Sequence, residues 1–286
     1  MAVNNPYRAL VEGFARLLSE SEALSPAAVI PPKRQPPAET ASKALIFAPH
    51  PDDEVIIGGL PLRLLREQKL NVINVAVTLG SRPDRQAERW QELKNCCEYI
   101  GFGLVAAGEK GLEGINPIGR GQQPQRWSAA VEAIADIIAA QQPSIIFVPH
   151  ADDWNQTHIG THHLVLEAMS RHQDLACRVV ETEFWGAMGS PNLLVESSVS
   201  DVTDLVTALS LHVGEVARNP YHLRLPAWMM DNVRRGAELV GGQGGAAPRF
   251  AFATLYRLRR WENGRLQEVL EKGRVLSIQD DLSELF

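Results

Sequence analysis

Residues 48–54, Ala48-Pro49-His50-Pro51-Asp52-Asp53-Glu54, set a histidine beside two adjacent aspartates. The apolar run Ala44-Leu45-Ile46-Phe47 before them reads as a buried strand, and Val55-Ile56-Ile57 after them begins a helix. The cluster falls where a strand hands over to a helix, the edge at which open α/β sheets place their active sites. If residues 51–54 enter a first helical turn, His50 and Asp53 converge on one ion, while Asp52, rotated by about 100°, faces elsewhere. One carboxylate then binds metal and its neighbour handles protons. Thr157-His158-Ile159-Gly160-Thr161-His162 can supply the missing ligand. Taken alone, the acidic residues would merely favour a helix N-terminus. The preceding strand, the Gly58-Gly59 pair and the distant His-rich segment weigh for a metal site.

The second segment follows a strand, Ile145–Val148, and a loop, Pro149-His150-Ala151-Asp152-Asp153-Trp154-Asn155. His158 and His162 are four apart and share a helix face, which His163 does not. Thr157 is a good N-cap residue, so His158 is expected at the loop–helix junction as the third ligand. His162 lies one turn deeper, a group on the substrate side or a helix-face histidine satisfied by a neighbour. His150 reads as an orienting residue.

Pro49-His50-Pro51-Asp52-Asp53-Glu54 followed by Gly58-Gly59 resembles the signature of the PIG-L/LmbE-like N-acetylglucosaminyl deacetylase family. The resemblance continues through Val72–Gly80, the Arg89-x-x-Glu92 helix ending near Gly101, and the segment from Ile145 to His163. It implies that His50 and Asp53 are ligands of Zn2+ and that Asp52 is the general base. The family's second motif, His-x-Asp-His, binds zinc through its last histidine and stabilises the oxyanion with its first. Placing that last histidine on His158 puts Asn155 at the first and Thr157 at the Asp, both departures. Asn155 can still donate a hydrogen bond, but it cannot be a cationic acid. A rival register, with one inserted residue, makes His158 the electrophile and His162 the ligand.

Two histidines and one aspartate leave a position open for water, as catalytic rather than structural zinc sites do. Asp52 would take a proton from that water, and Asn155, His162 or both would help hold the oxyanion. The expected function is a zinc-dependent hydrolase removing an acetyl group from an N-acetylated amino sugar or its conjugate. Two alternatives stand beside it: an amidase for another N-acyl group, and a non-catalytic sugar- or metal-binding protein. Ser81 and Arg82, at the end of the strand Val72–Leu79, are expected beside substrate. Arg89 is expected to contact hydroxyls or phosphate, although an Arg89–Glu92 pair on one helix is more often a surface salt bridge. His212 is a further substrate-side candidate, and Trp185, Tyr221 and Trp228 can stack on a sugar, with core packing their default.

Positioning these residues requires a sheet. Apolar runs at Ala44–Phe47, Val72–Thr78, Gly103–Ala107, Ile145–Pro149 and Arg178–Glu183 alternate with helical patterns near Ile56–Glu67, Gln86–Ile100, Ser128–Gln141 and His158–Arg171. The alternation predicts an α/β fold, Rossmann-like, with a mostly parallel sheet and helices on both faces. No glycine-rich dinucleotide loop is in the right context, because Gly101-Phe102-Gly103 follows a helix. Gly236–Gly245 reads as a mobile loop. Residues 1–40 stand apart, a helix over Tyr7–Leu18 and a Pro-rich linker from Pro26 to Pro37. That helix packs either on the domain or on a second subunit, so a homo-oligomer stays open. Residues 41–286 form the deacetylase-like domain, with a variable substrate region over about 190–286.

The chain has 286 residues, 45% of them hydrophobic and 22% charged, an ordinary globular balance. A formal charge of −6 argues against broad binding to nucleic acid or anionic membrane. Arg257, Arg259 and Arg260 read as a solvated strand edge. Three cysteines without a Cys-x-x-Cys make neither a disulfide framework nor a thiolate zinc site, and Cys96 or Cys97 is expected in the core. The N-terminus has no leader pattern and no apolar run spans a bilayer, so a cytoplasmic enzyme for a small-molecule amino-sugar conjugate is expected.

Overall fold

The computed structural model describes residues 5–27, 37–38 and 40–286. Nine strands form one sheet: β1 (Lys43–Ala48), β2 (Asn71–Ala76), β3 (Gly103–Ala106), β4 (Ile145–Pro149), β5 (Cys177–Thr182), β6 (Leu193–Ser197), β7 (Phe252–Glu262), β8 (Arg265–Glu268) and β9 (Arg274–Leu276). Their order is β3-β2-β1-β4-β5-β7-β6-β9, with β8 on β7. Strands β3 to β5 are all parallel, as the alternation of the first half predicts. Strand β7 runs antiparallel to β5, β6 and β8 and closes the sheet into a mixed one.

Side chains on β1 alternate between two cores. Ala44, Ile46 and Ala48 join the layer packed by helices α3 (Gly59–Arg66), α4 (Gln86–Ile100) and α8 (Val199–Ser210). Leu45 and Phe47 join the layer packed by α6 (Pro124–Gln141) and α7 (Gln156–Met169). A strand apolar on both faces must be covered on both, which explains the continuous run Ala44–Phe47.

The expected helix over Ile56–Glu67 is two pieces, α2 (Asp53–Ile56) and α3. Gly58 breaks them at φ 84, and a Cβ there would sit 2.0 Å from Thr254 Oγ1 on β7. Tyr256, also on β7, clamps the break: its hydroxyl accepts from Leu60 N (3.3 Å) and donates to Ile57 O. Fully buried Arg63 donates to Ser277 O (3.0 Å) and Asp280 O (3.1 Å) beyond β9. The sheet's C-terminal strands thus grip the helix that follows the first motif.

Several expectations change. Arg257, Arg259 and Arg260 lie on β7: Arg259 pairs with Glu181 on β5 at 2.6 Å and Arg257 with Glu268 on β8, because β7 is flanked on both sides, while Arg260 stays exposed beside Glu262 of its own strand. Gly236 lies inside α10 (Leu225–Leu239), and Gly241–Gly245 form the turn after it. The helix α1 (Arg8–Ser21) buries none of its residues, and Leu10, Val11, Phe14 and Leu17 are exposed. Most of the Pro-rich linker lies outside the described residues. All three cysteines are buried free thiols. Among the described residues no helix is long and apolar enough to cross a membrane.

Candidate active site

The order of strands reverses at β1, which pairs with β2 on one side and β4 on the other. Such a switch point opens a crevice at the strands' carboxyl ends. His50 follows β1 there, and the Asp153–His158 segment follows β4. A cleft of about 690 Å³ lies between them, bordered by His50, Asp52, Asp53, Ser81, Arg89 and Asn155.

His50 Nδ1 and His158 Nε2 each lie 3.2 Å from Asp53 Oδ2, and 3.3 Å from one another. A tetrahedral ion with bonds of about 2.0–2.1 Å has ligand atoms roughly 3.3–3.4 Å apart, so the triangle matches one face of a zinc-like tetrahedron. Two imidazoles and one carboxylate are suitable donors for such an ion. Asp153 Oδ2 faces the other ring nitrogen, His158 Nδ1, at 3.6 Å. A carboxylate there fixes the tautomer of a ligating histidine. The residues therefore fit a divalent cation. Burial would raise Asp53, but His158 and His50 outweigh it and hold its carboxyl far below the usual range. Burial likewise opposes charge on His158, yet Asp53 and Asp153 push its imidazole up to about 10.

Asp52 is the residue before α2, at φ 116 and ψ −28, a conformation rare outside glycine. Such backbone costs about 1–3 kcal/mol and persists only where its surroundings impose it. Glu54 Oε2 accepts from Asp52 N at 2.9 Å, and Asp53 Oδ2 accepts from His50 N at 2.9 Å, which tie the turn from both sides. The twist separates the two aspartates. Asp52 Oδ2 accepts from the Tyr221 hydroxyl at 2.6 Å and stands 3.7 Å from the Arg89 guanidinium. Burial, and then the Asp53 charge, push Asp52 up to about 7 against the pull of His212, Arg89 and Tyr221.

Other expected site residues fall into place unevenly. Asn155, not Thr157, caps α7: its Oδ1 accepts from Thr157 N at 2.8 Å. With that oxygen committed, the amide N–H end is what Asn155 offers to the cleft it lines. His162 is outside the cleft, its Nδ1 bonded to Pro149 O at 2.8 Å and its ring buried near Glu181. One helical turn moves it behind β4 rather than toward substrate. Burial lowers its basicity. His212 is fully buried behind the motif, its Nε2 2.8 Å from Glu54 Oε1, and does not line the cleft. Ser81 borders the cleft, whereas Arg82 turns to solvent and pairs with Asp84 at 2.6 Å. Arg89 does not pair with Glu92. It donates to Pro51 O at 2.8 Å, and Glu92 accepts from Gly214 N at 2.7 Å. His150 orients a neighbouring loop through Gly186 O at 2.8 Å. Trp228 is partly buried against the core, while Trp185 borders the cleft.

Sequence reasoning missed Asp153 as the partner of His158, although Asp152-Asp153 repeats the paired acids of the first motif. It also missed Tyr221 as the donor to Asp52, a contact across 169 positions that no local pattern announces.

Residues 45–169 match the family model described as PIG-L, GlcNAc-PI de-N-acetylase. No curated protein matches the chain. Among solved structures it is similar to N,N'-diacetylchitobiose deacetylase from Pyrococcus horikoshii, at 17% identity and a TM-score of 0.56 over 89% of this chain and 93% of that one. It is similar to A40926 pseudoaglycone deacetylase Dbv21, at 17% identity and 0.55 over 79% and 99%. GalB, the 4-carboxy-2-hydroxymuconate hydratase from Pseudomonas putida KT2440, is also similar, at 17% and 0.54 over 80% and 99%. At such identities the likeness establishes a shared mixed α/β fold, and a fold does not dictate a reaction. The sequence match to the PIG-L family model thus covers all three members of the His50–Asp53–His158 triangle.

Proposed function

We propose that the protein is a zinc-dependent hydrolase that removes an acetyl group from an N-acetylated amino sugar or its conjugate. The observation that carries the reading is the His50–Asp53–His158 triangle opening into a cleft with Asp52 at its edge. His50, Asp53 and His158 would hold the cation, which when bound polarises an acyl carbonyl and acidifies water. Asp52 is the general base: it accepts the proton of the attacking water and returns it to the departing amine. Tyr221 and Arg89 orient that carboxylate, and Asn155 offers an N–H to the oxygen on which negative charge develops. Ser81 borders the same space as a contact for substrate.

The departure at Asn155 and Thr157 keeps a binding-only reading in play. Metal content by elemental analysis, with acetate release from N-acetylglucosamine conjugates before and after chelation, decides between them. One zinc per chain and chelator-sensitive acetate release support the hydrolase; bound zinc without any acyl release from a panel of N-acyl donors overturns it. Release of only a different acyl group assigns the amidase reading instead. Three buried free thiols suit a reducing, cytoplasmic setting.

A further inference from the structure

Two tryptophans at the mouth of the cleft have no role in the chemistry above. Trp154 is 77% exposed and Trp185 43% exposed, which is unusual for the largest apolar side chain. They belong to different loops, one after β4 and one after β5, yet the loops are locked together. Gly186 N donates to Asp153 Oδ2 at 3.3 Å, and His150 Nε2 lies 2.8 Å from Gly186 O. A Cβ on Gly186 would fall 2.8 Å from Asp153 Cα and 3.0 Å from Trp154 N, so the backbones touch. Tyr221 completes the group, its ring edge-on to Trp185 with centroids 5.9 Å apart.

These rings border a depression of about 450 Å³ that begins at Asp52, the proposed general base. A substituent on the group reacting beside Asp52 would therefore reach it. The rest of its wall is polar: Asn155, Arg218 and Asn219. An alkyl chain would bury those groups without partners, at a cost. The single cation of the lining, Arg218, is paired with Glu215 at 2.6 Å, a carboxylate it shares with Arg85 and Arg89, and it stands at the exposed rim rather than between the rings. Aromatic faces interleaved with amides match a ring with apolar C–H faces and hydroxyls at its edge.

We propose that Trp154 and Trp185 form a second subsite that stacks a neutral glycosyl ring joined to the amino sugar. The inference rests on the deacetylase reading for the reacting sugar, and its geometry is independent of it. The test compares N-acetylglucosamine, its β-linked disaccharide and its octyl glycoside on the wild-type protein, Trp154→Ala, Trp185→Ala and Trp154→Phe. Loss of an aromatic anchor should lower kcat/KM for the disaccharide by about ten-fold or more. The monosaccharide value should hold in Trp154→Ala, and Trp154→Phe should retain much of the disaccharide rate. Equal loss on mono- and disaccharide, or no loss on either, overturns the subsite. A loss confined to the octyl glycoside reassigns the depression to apolar aglycones and also overturns it. Calorimetric titration of the same sugars into Asp52→Asn separates the two readings. Tryptophan-dependent preference for the disaccharide without acetate release by the wild type would keep the subsite and sink the deacetylase, whereas absent preference with normal release would do the reverse.

Discussion

Replacing His212 tests whether a buried ion pair props the catalytic turn. His212 Nε2 and Glu54 Oε1 are 2.8 Å apart, with neither side chain exposed. Glu54's other oxygen holds Asp52 N, so the pair stands directly behind the twisted residue. His212→Leu keeps the bulk and strands the carboxylate in a dry setting. Removing one partner of a buried pair costs about 3–5 kcal/mol. Cys96 Sγ still donates to Glu54 at 2.9 Å, which argues for the lower end. In a chain of this size each kcal/mol moves the thermal midpoint by roughly 2–4 °C, so calorimetry of the metal-free protein should show a drop of about 6–12 °C. Glu54→Gln combined with His212→Leu should recover most of it, because no charge is then left unpaired. Burial lowers the basicity of His212, but Glu54, Asp52 and Glu92 outweigh it and leave it raised. A histidine raised on folding stabilises fully below its unfolded value near 6.5, and that stability fades as pH climbs through the folded value. The gap between wild type and His212→Leu should therefore shrink as pH climbs above about 6.5. A midpoint within about 2 °C of wild type, or a gap that widens with pH, refutes the prop.

Alanine at His50, Asp53 or His158 should each strip most bound zinc, read by elemental analysis; full zinc in His158→Ala with loss in His162→Ala would restore the rival register. Asp52→Asn should keep the metal and fold and lose about 10²–10⁴-fold in turnover, and near-normal rates would end its proton role. Asn155→Ala should cost about 10²–10³-fold in turnover and about 1 kcal/mol of stability through the lost cap of α7. Asn155→Asp separates those effects, since it keeps the cap acceptor and removes the N–H donor; a silent Asn155→Asp would make the residue structural only.

The meeting of His50, Asp53 and His158 was legible because both halves sit at strand ends, where short spacing and strand period suffice to bring side chains together. Strands β1, β2 and β4 were legible for a related reason: a strand buried on both faces reads as a largely apolar run. What failed was anything decided by a distant partner. The helix expected over Ile56–Glu67 breaks at Gly58, where contact with Thr254 and Tyr256 holds a turn that Gly58-Gly59 and Pro61 already favour locally. Arg259 reads as a solvated cation until Glu181 on the adjacent strand neutralises it. His212 and His162 differ from His158 in surroundings rather than in type, and burial is a property of the fold. Thr157 and Asn155 are both competent caps, and the loop's path chose the earlier one.

The grip of β7 on the Gly58 turn limits how such a protein can be cut or recombined. The sequence match ends at residue 169, and every group of the triangle lies within it. A fragment stopping there would keep the ligands and lose Thr254, Tyr256 and the carbonyls that satisfy Arg63. Arg63 would then keep only Glu67 as an acceptor, and the loop that carries Asp52 would lose its backing. Exchange of substrate range between relatives is therefore easier by grafting the loops around Trp154, Trp185 and Tyr221 than by swapping whole C-terminal halves.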